Sequence, residues 1–313
     1  MIKTAEFVSP KHPDKICDFI ADSILDAFLS QDKAARVAVE VMGGHGMITV
    51  SGEITSKASV DISGVVQGLV GPDFKVTVNA TSQSPQIAQG VDTGGAGDQG
   101  IMVGYACNET ENLMPLEYEL ARNLCREIYN VYPFDGKTQV TTDGNKILTV
   151  VASFQNAEIP ELLKLVQSKI AAEEYLINPA GEWSLGGFDA DTGLSGRKIV
   201  IDNYGPNVPV GGGSFSGKDY TKVDRSGAYI ARKIAADSVR KNNAKEALVK
   251  IAYAIGKPQP VMKTLLLDSK EVKFPEEYDL SPGGIRTLLK LDKTGYAQTA
   301  VWGHFGRGFV WDK

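Results

Sequence analysis

A helix, two alternating strands and a second helix follow one another three times along this chain, at intervals of roughly 100 residues. That recurrence limits the fold more than any single motif does. In the first copy Ile16, Ile20, Ile24 and Phe28 stand four residues apart over 14–31, with Asp14 in the first turn, as in an amphipathic helix. Strand-like runs Arg36–Val41 and Met47–Ile54 follow, joined by Gly43-Gly-His-Gly46, then a helix over 57–70 and a strand over Lys75–Asn79. The second copy places Leu116, Leu120, Leu124 and Ile128 on one helix face. Its hairpin, Thr138–Thr142 and Ile147–Phe154, turns at Asp143-Gly144, and a helix runs from Pro160 to about Ala172. The third starts a helix at Asp224, with Ala228, Ala231 and Ala235 on it. Strands Val249–Ile255 and Val261–Leu267, a helix near Gly284–Lys290 and a last strand Tyr296–Trp302 complete it. The expectation is an α/β (α+β) chain of three similar domains, 1–86, 96–185 and 187–313, each an antiparallel-rich sheet covered by helices in a pseudo-threefold arrangement. Helices on one sheet face leave the other exposed, packed on a second sheet, or used in an oligomer, so sites belong between units.

Composition narrows the function classes. A formal net charge of −5 argues against a general partner for nucleic acid or a membrane surface, either of which needs a basic face. No apolar run approaches the ~20 residues of a membrane span, and the N-terminus carries no leader-like apolar stretch. Cys17, Cys107 and Cys125 lie far apart in no metal-binding spacing, as reduced thiols of a cytoplasmic protein would.

The segment Gly211-Gly-Gly-Ser-Phe-Ser-Gly-Lys218-Asp219 has P-loop spacing up to Asp219, where that motif needs a hydroxyl for magnesium. Pro209 also spoils the preceding strand. Two readings stay open: a surface glycine loop with a solvated lysine, or an anion cradle in which bare backbone amides and Lys218 meet phosphate oxygens. Gly95-x-Gly97-x-x-Gly100 leads into the extended Ile101-Met-Val-Gly104 and not into a helix, which excludes a dinucleotide fingerprint. His12-Pro-Asp-Lys15 reads as a helix-capping device that leaves His12 unexplained, or as a group aimed at a phosphate. Three histidines without HExxH spacing disfavour a zinc hydrolase. Arg197 and Lys198 precede the strand-like Ile199-Val-Ile201, and with Lys218 and Lys222 they would make an unusual cationic cluster in an acidic chain.

Taken together these segments resemble the S-adenosylmethionine synthetase (methionine adenosyltransferase) family. The resemblance rests on His12-Pro-Asp-Lys15, Ser51-Gly-Glu53-Ile-Thr55, Gln83-Ser-Pro85, Gln89-Gly-Val-Asp92, Gly95–Gly100, Gly104-Tyr-Ala106 and Lys137-Thr-Gln-Val-Thr141. It continues through Ile177-Asn-Pro179, Gly193–Lys198, Gly211–Asp219, Lys222–Ser226, Tyr253-Ala-Ile-Gly256 and Gly303–Arg307, in the family's order over almost the whole chain. It implies attack of methionine sulfur on ribose C5′ of ATP with loss of the whole triphosphate, then cut to pyrophosphate and phosphate. A tripolyphosphatase or a non-catalytic regulatory subunit are the alternatives. By the resemblance His12, Lys137, Arg197 and Lys218 are catalytic, and ATP also meets Asp135, Trp183, Asp191, Lys198, Ser214 and Lys222. Methionine meets Glu53, Gln83, Asp191 and Lys222. Glu6, Asp14 and Asp224 match positions for Mg2+, two per site, and Glu40 the position for an activating K+. A homodimer or dimer of dimers with interfacial sites is implied.

The chain departs from the family in length, most clearly between Gln83 and Gly95 and between Met114 and Lys137. Pro10-Lys11 stand where Glu-Gly is usual, Trp183 where a phenylalanine stacks, and Gln86 where an aspartate is common. These changes bear on gating, methionine affinity and assembly and leave the phosphate-binding cations untouched.

Overall fold

The computed structural model describes residues 1–82 and 94–313. Among these residues three four-stranded sheets form, and each draws its opening strand from a neighbouring repeat. The first sheet joins β2 (Arg36–Gly44), β3 (Met47–Thr55) and β4 (Lys75–Thr81) to the two-residue β9 (Gly193–Leu194) from the third repeat. The second joins β6 (Gly136–Asp143), β7 (Lys146–Phe154) and β8 (Glu174–Ile177) to β1 (Ile2–Val8) from the chain's start. The third joins β10 (Glu246–Tyr253), β11 (Met262–Leu267) and β12 (Lys270–Val272) to β5 (Gly100–Cys107) from the second repeat. The exchange is cyclic, and every borrowed strand pairs antiparallel.

Each sheet is covered on one face by a long helix: α1 (Pro13–Gln31) on the first, α3 (Leu116–Tyr129) on the second and α5 (Val223–Asn242) on the third. The shorter α2 (Ile62–Val70), α4 (Ile159–Lys169) and α6 (Pro282–Leu289) complete the repeats. Periodicity fixes the inward faces: Ile20, Ile24 and Phe28 of α1 pack on Val37, Val39, Val41, Ile48 and Val50 as one core. The second and third sheets share a separate, larger core. At Gly104 of β5 an added Cβ would lie 2.0 Å from the carbonyl carbon of Ala231, so only glycine lets that strand press against α5. His45 and Gly46 take positive φ (51° and 78°) to make the tight turn between β2 and β3.

Some sequence expectations fail. Tyr296–Trp302 is no strand: Tyr296–Gln298 is a 3-10 turn, and Trp302 has φ 69°. The Tyr296 and Ala297 amides donate to Asp26 instead of to a sheet, and β12 takes the fourth place. Ile199–Asp202 is a short helical turn, its apolar residues mimicking a strand. The helix expected from 57 begins at Ile62, where the Asp61 carboxylate accepts the Gly64 amide at 3.0 Å. Among the described residues no helix is long and apolar enough to cross a membrane.

Candidate active site

His12 is the residue that caps α1. Its extended backbone (φ −60°, ψ 134°) precedes Pro13, and its Nδ1 accepts the Asp14 amide at 3.2 Å. Capping therefore accounts for one ring nitrogen and leaves Nε2 to carry the proton. Burial, reinforced by the ammonium groups of Lys198 and Lys137, pushes the His12 pKa down to about 3, so the ring is neutral at ordinary pH.

Below His12, α1 carries aspartates at 14, 18, 22 and 26, four residues apart and on the face away from the Ile16–Phe28 stripe. Each grips the third repeat. Asp14 accepts the Leu194 amide at 2.9 Å, Asp18 that of Gly196 at 2.9 Å, and Asp22 that of Gly217 at 2.8 Å. Asp26 accepts the amides of Tyr296 and Ala297. Asp18 and Asp22 are fully buried. The apolar stripe alone does not reveal this acidic one, although its four-residue spacing marks it in the sequence.

The same segments are stitched to the edge of β2. Gly193 and Leu194 pair with Gly43 and Met42, Ser195 bonds Val41, and the Gly217 carbonyl accepts the Val39 amide. Gly217 has φ 77°, and a Cβ there would stand 2.1 Å from the Val39 oxygen. The glycine-rich segment thus follows β2 as an added strand fragment, with Lys218 bridging to Ala38. It also abuts Gly196, where a Cβ would fall 2.7 Å from Ser214. Among the described residues the buried Ser214 and Ser216 hydroxyl oxygens have no hydrogen-bond partner, as expected where a ligand supplies one.

The cations stand on carboxylates. Lys198 Nζ is 2.5 Å from Asp14 Oδ2 and Arg197 Nε 3.7 Å from Asp14 Oδ1, with the Arg197 side chain 55% exposed. Lys218 Nζ is 2.6 Å from Asp224 Oδ2, at the start of α5. Lys222 instead holds Asp219 at 2.7 Å, which ties it to β2 through the Val37 amide. Lys137 is exposed on β6, and Asp135 just before it accepts the Gly187 amide at 3.0 Å. Burial raises the Asp135 pKa, and Lys137 and Asp191 act on it, so Asp135, Lys137 and Asp191 form one electrostatic neighbourhood with His12. Trp183 is half-buried, its Nε1 donating to Asn178 at 3.3 Å.

Glu40, Glu53 and Glu6 lie on outward sheet faces. Glu40 and Glu53 share the outer face of the first sheet with Met42, Met47 and Leu194, all exposed. Ser195 Oγ donates to Glu40. Glu6 lies opposite Gln139 on the outer face of the second sheet, beside Lys137. Gln83 falls outside the described residues, as do Gln86 and Gln89–Asp92. Among the described residues no three carboxylate, histidine or cysteine groups gather as a ready metal cage.

Three domain families match in succession: S-adenosylmethionine synthetase, N-terminal domain, over 1–81; its central domain over 93–183; and its C-terminal domain over 185–313. The S-adenosylmethionine synthase of Nitratiruptor sp. is 41% identical across 99% of this chain and 95% of its own length. That of Thermus thermophilus is also 41% identical and that of Pelagibacter ubique 40%, with the same coverage. The Nitratiruptor alignment runs over 367 positions against 313 residues here, so that relative carries stretches this chain lacks.

Proposed function

The chain belongs to the S-adenosylmethionine synthetase family, and we infer that it is a methionine adenosyltransferase making S-adenosylmethionine from ATP and L-methionine. The observation that carries the mechanism is the convergence on α1 of a neutral His12 with Arg197, Lys198 and Lys218 on glycine-anchored segments. Methionine sulfur attacks ribose C5′, the C5′–O bond breaks, and its electron pair leaves on the triphosphate. Sulfur is nucleophilic without a general base, so positioning and relief of leaving-group charge govern the rate. His12 Nε2–H is the donor for the departing oxygen. Arg197, Lys198, Lys218, Lys137 and Lys222 hold phosphate oxygens, with Ser214 beside them. Hydrolysis of the bound tripolyphosphate to pyrophosphate and phosphate follows.

The residues fit magnesium. Mg2+ keeps several waters and takes one or two carboxylates together with substrate phosphates, so it needs no protein-only cage. Asp14, paired with Lys198 and Arg197, and Asp224, paired with Lys218, each present a carboxylate whose cations can pass to a phosphate when an ion takes their place. Asp14, Asp224 and Glu6 would hold two ions, which supply charge neutralisation to the triphosphate. Glu40, with Ser195 at its carboxylate, would hold K+. Asp135 and Trp183 serve the nucleoside, Asp191 both substrates, and Glu53, Gln83 and Lys222 methionine.

Glu6 and Lys137 face outward on the second sheet, and Glu40 and Glu53 on the first, whose outer face also exposes Met42 (52%) and Met47 (50%). That supports a homodimer, or a dimer of dimers, closing the site between chains. We take the three units as 1–86, 96–185 and 187–313, and the protein as cytoplasmic.

Purified protein supplied with ATP, methionine, Mg2+ and K+ is expected to form S-adenosylmethionine, pyrophosphate and phosphate, with a solution mass of at least two chains. Folded protein forming no S-adenosylmethionine, or only cleaving added tripolyphosphate, overturns the transfer reading.

A further inference from the structure

Two cation-bearing segments hang from α1 by the same device: an aspartate accepts the amide of the glycine just before the cation. Asp18 holds Gly196 ahead of Arg197 and Lys198, and Asp22 holds Gly217 ahead of Lys218. The anchors are one helical turn apart, about 6 Å along the axis. We propose that Asp18 is a positioning residue for adenosyl transfer, its carboxylate setting where Arg197 and Lys198 stand relative to His12.

Asp18 is fully buried and so acts through others. Its second oxygen lies 3.0 Å from the ammonium of Lys15, which is itself buried and reaches on to Asp202. Asp202 closes the turn after Lys198, donating its amide to the Lys198 carbonyl at 2.8 Å. Segment 196–202 is thus gripped at both ends from the first turn and a half of α1, by Asp18 at Gly196 and by Lys15 at Asp202. Gly196 has φ 77° and sits against Ser214 of the glycine-rich loop, so a shift there would also be felt at that loop. The charge count points to geometry as the task of Asp18: Lys15 already has Asp202 as a counter-ion, whereas the Gly196 amide depends on Asp18.

The inference rests on the transfer reading, and a crossed pair of variants tests it. Asp18→Asn keeps an oxygen at the same reach and leaves Lys15 paired with Asp202. Asp18→Glu keeps the charge but displaces the acceptor by a methylene. Expected is kcat and tripolyphosphate affinity (calorimetry without metal) within about threefold of wild type for Asp18→Asn. For Asp18→Glu, kcat should fall about 10- to 100-fold and tripolyphosphate affinity should drop, with the methionine KM unchanged and the protein folded at assay temperature. An Asp18→Glu enzyme equal to wild type overturns the proposal, as does an Asp18→Asn enzyme that is equally impaired or unfolded. If Asp18→Glu does not fold, Asp18→Ala takes its place under the same criteria; failure of both to fold makes Asp18 a stability residue and also overturns it. Wild-type protein runs alongside. Its own failure to transfer or to bind tripolyphosphate counts against the transfer reading, while variant effects on a working wild type bear on Asp18 alone.

Discussion

Arg225 of α5 and Asp22 of α1 meet through two parallel bonds of 2.7 Å, both side chains fully buried. The guanidinium also donates to Thr299 and lies 4.4 Å over the Tyr296 ring, so one residue fastens two repeats and the C-terminal segment. Fork geometry and complete satisfaction of donors let such a pair persist without water.

Removing one partner leaves a buried, uncompensated charge. Arg225→Met is expected to lower unfolding free energy by about 3–5 kcal/mol, read from urea titration. A loss below ~1 kcal/mol would mean that Asp22 finds water or a proton at little cost.

Asparagine is as good a helix cap as any side chain, so His12→Asn keeps the start of α1 while removing the ring donor. We expect S-adenosylmethionine formation to fall about 100- to 1000-fold with ATP affinity nearly unchanged. Equal collapse of ATP binding in calorimetry would assign His12 a ground-state role instead.

The same variant isolates a pH effect. Folded His12 titrates near 3, its unfolded counterpart near the ordinary 6.5. Its contribution to stability is therefore whole above about pH 6.5 and drains as the pH falls toward 3, at about 1 kcal/mol per pH unit. Buried Asp202, pushed up to about 7 chiefly by burial, works in the opposite direction, so the wild-type curve alone is not diagnostic. The measurement is the difference between wild type and His12→Asn, which should shrink by about 2 kcal/mol from pH 7 to pH 5. A difference that stays constant over that range contradicts a neutral, buried His12.

Lys218 is partly exposed, and its partner Asp224 can be solvated in its absence. Lys218→Met should leave the melting temperature nearly unchanged and weaken tripolyphosphate binding about 10- to 100-fold, as loss of one charge-assisted bond does. Undiminished binding would remove Lys218 from the phosphate site.

Gly104→Ala drives a methyl into the backbone of α5 at Ala231. The expected cost is about 1–3 kcal/mol, read as a lowered melting temperature. A variant as stable as wild type would mean that β5 and α5 separate easily.

Much of this molecule was legible in the sequence because its long helices and hairpins repeat their apolar periods at even spacing. Local pattern could not say which sheet a strand joins. β9 is two residues long, and β1 and β5 pair with partners more than 100 residues away. Tyr296–Trp302 looked like a strand since its apolar residues fill a core while its amides go to Asp26, a side chain 270 positions earlier. The cations at 197, 198, 218 and 222 were visible as charges. That glycines 196 and 217 hang them from aspartates on α1 depends on tertiary approach, although the Asp14–Asp26 stripe advertised a polar second face.

The cyclic loan of opening strands has a consequence during synthesis. β1 waits for β6, β5 for β10, and β2 remains without its β9 edge until residue 194 has been made. The first two sheets are complete by residue 194, but β5 of the second repeat stays unpaired until β10 has been made, so maturation of the whole chain hinges on its last third. By the same logic a backbone cut between repeats would not release a fragment: the severed pieces would still hold each other through the borrowed strands, as links do in a closed chain.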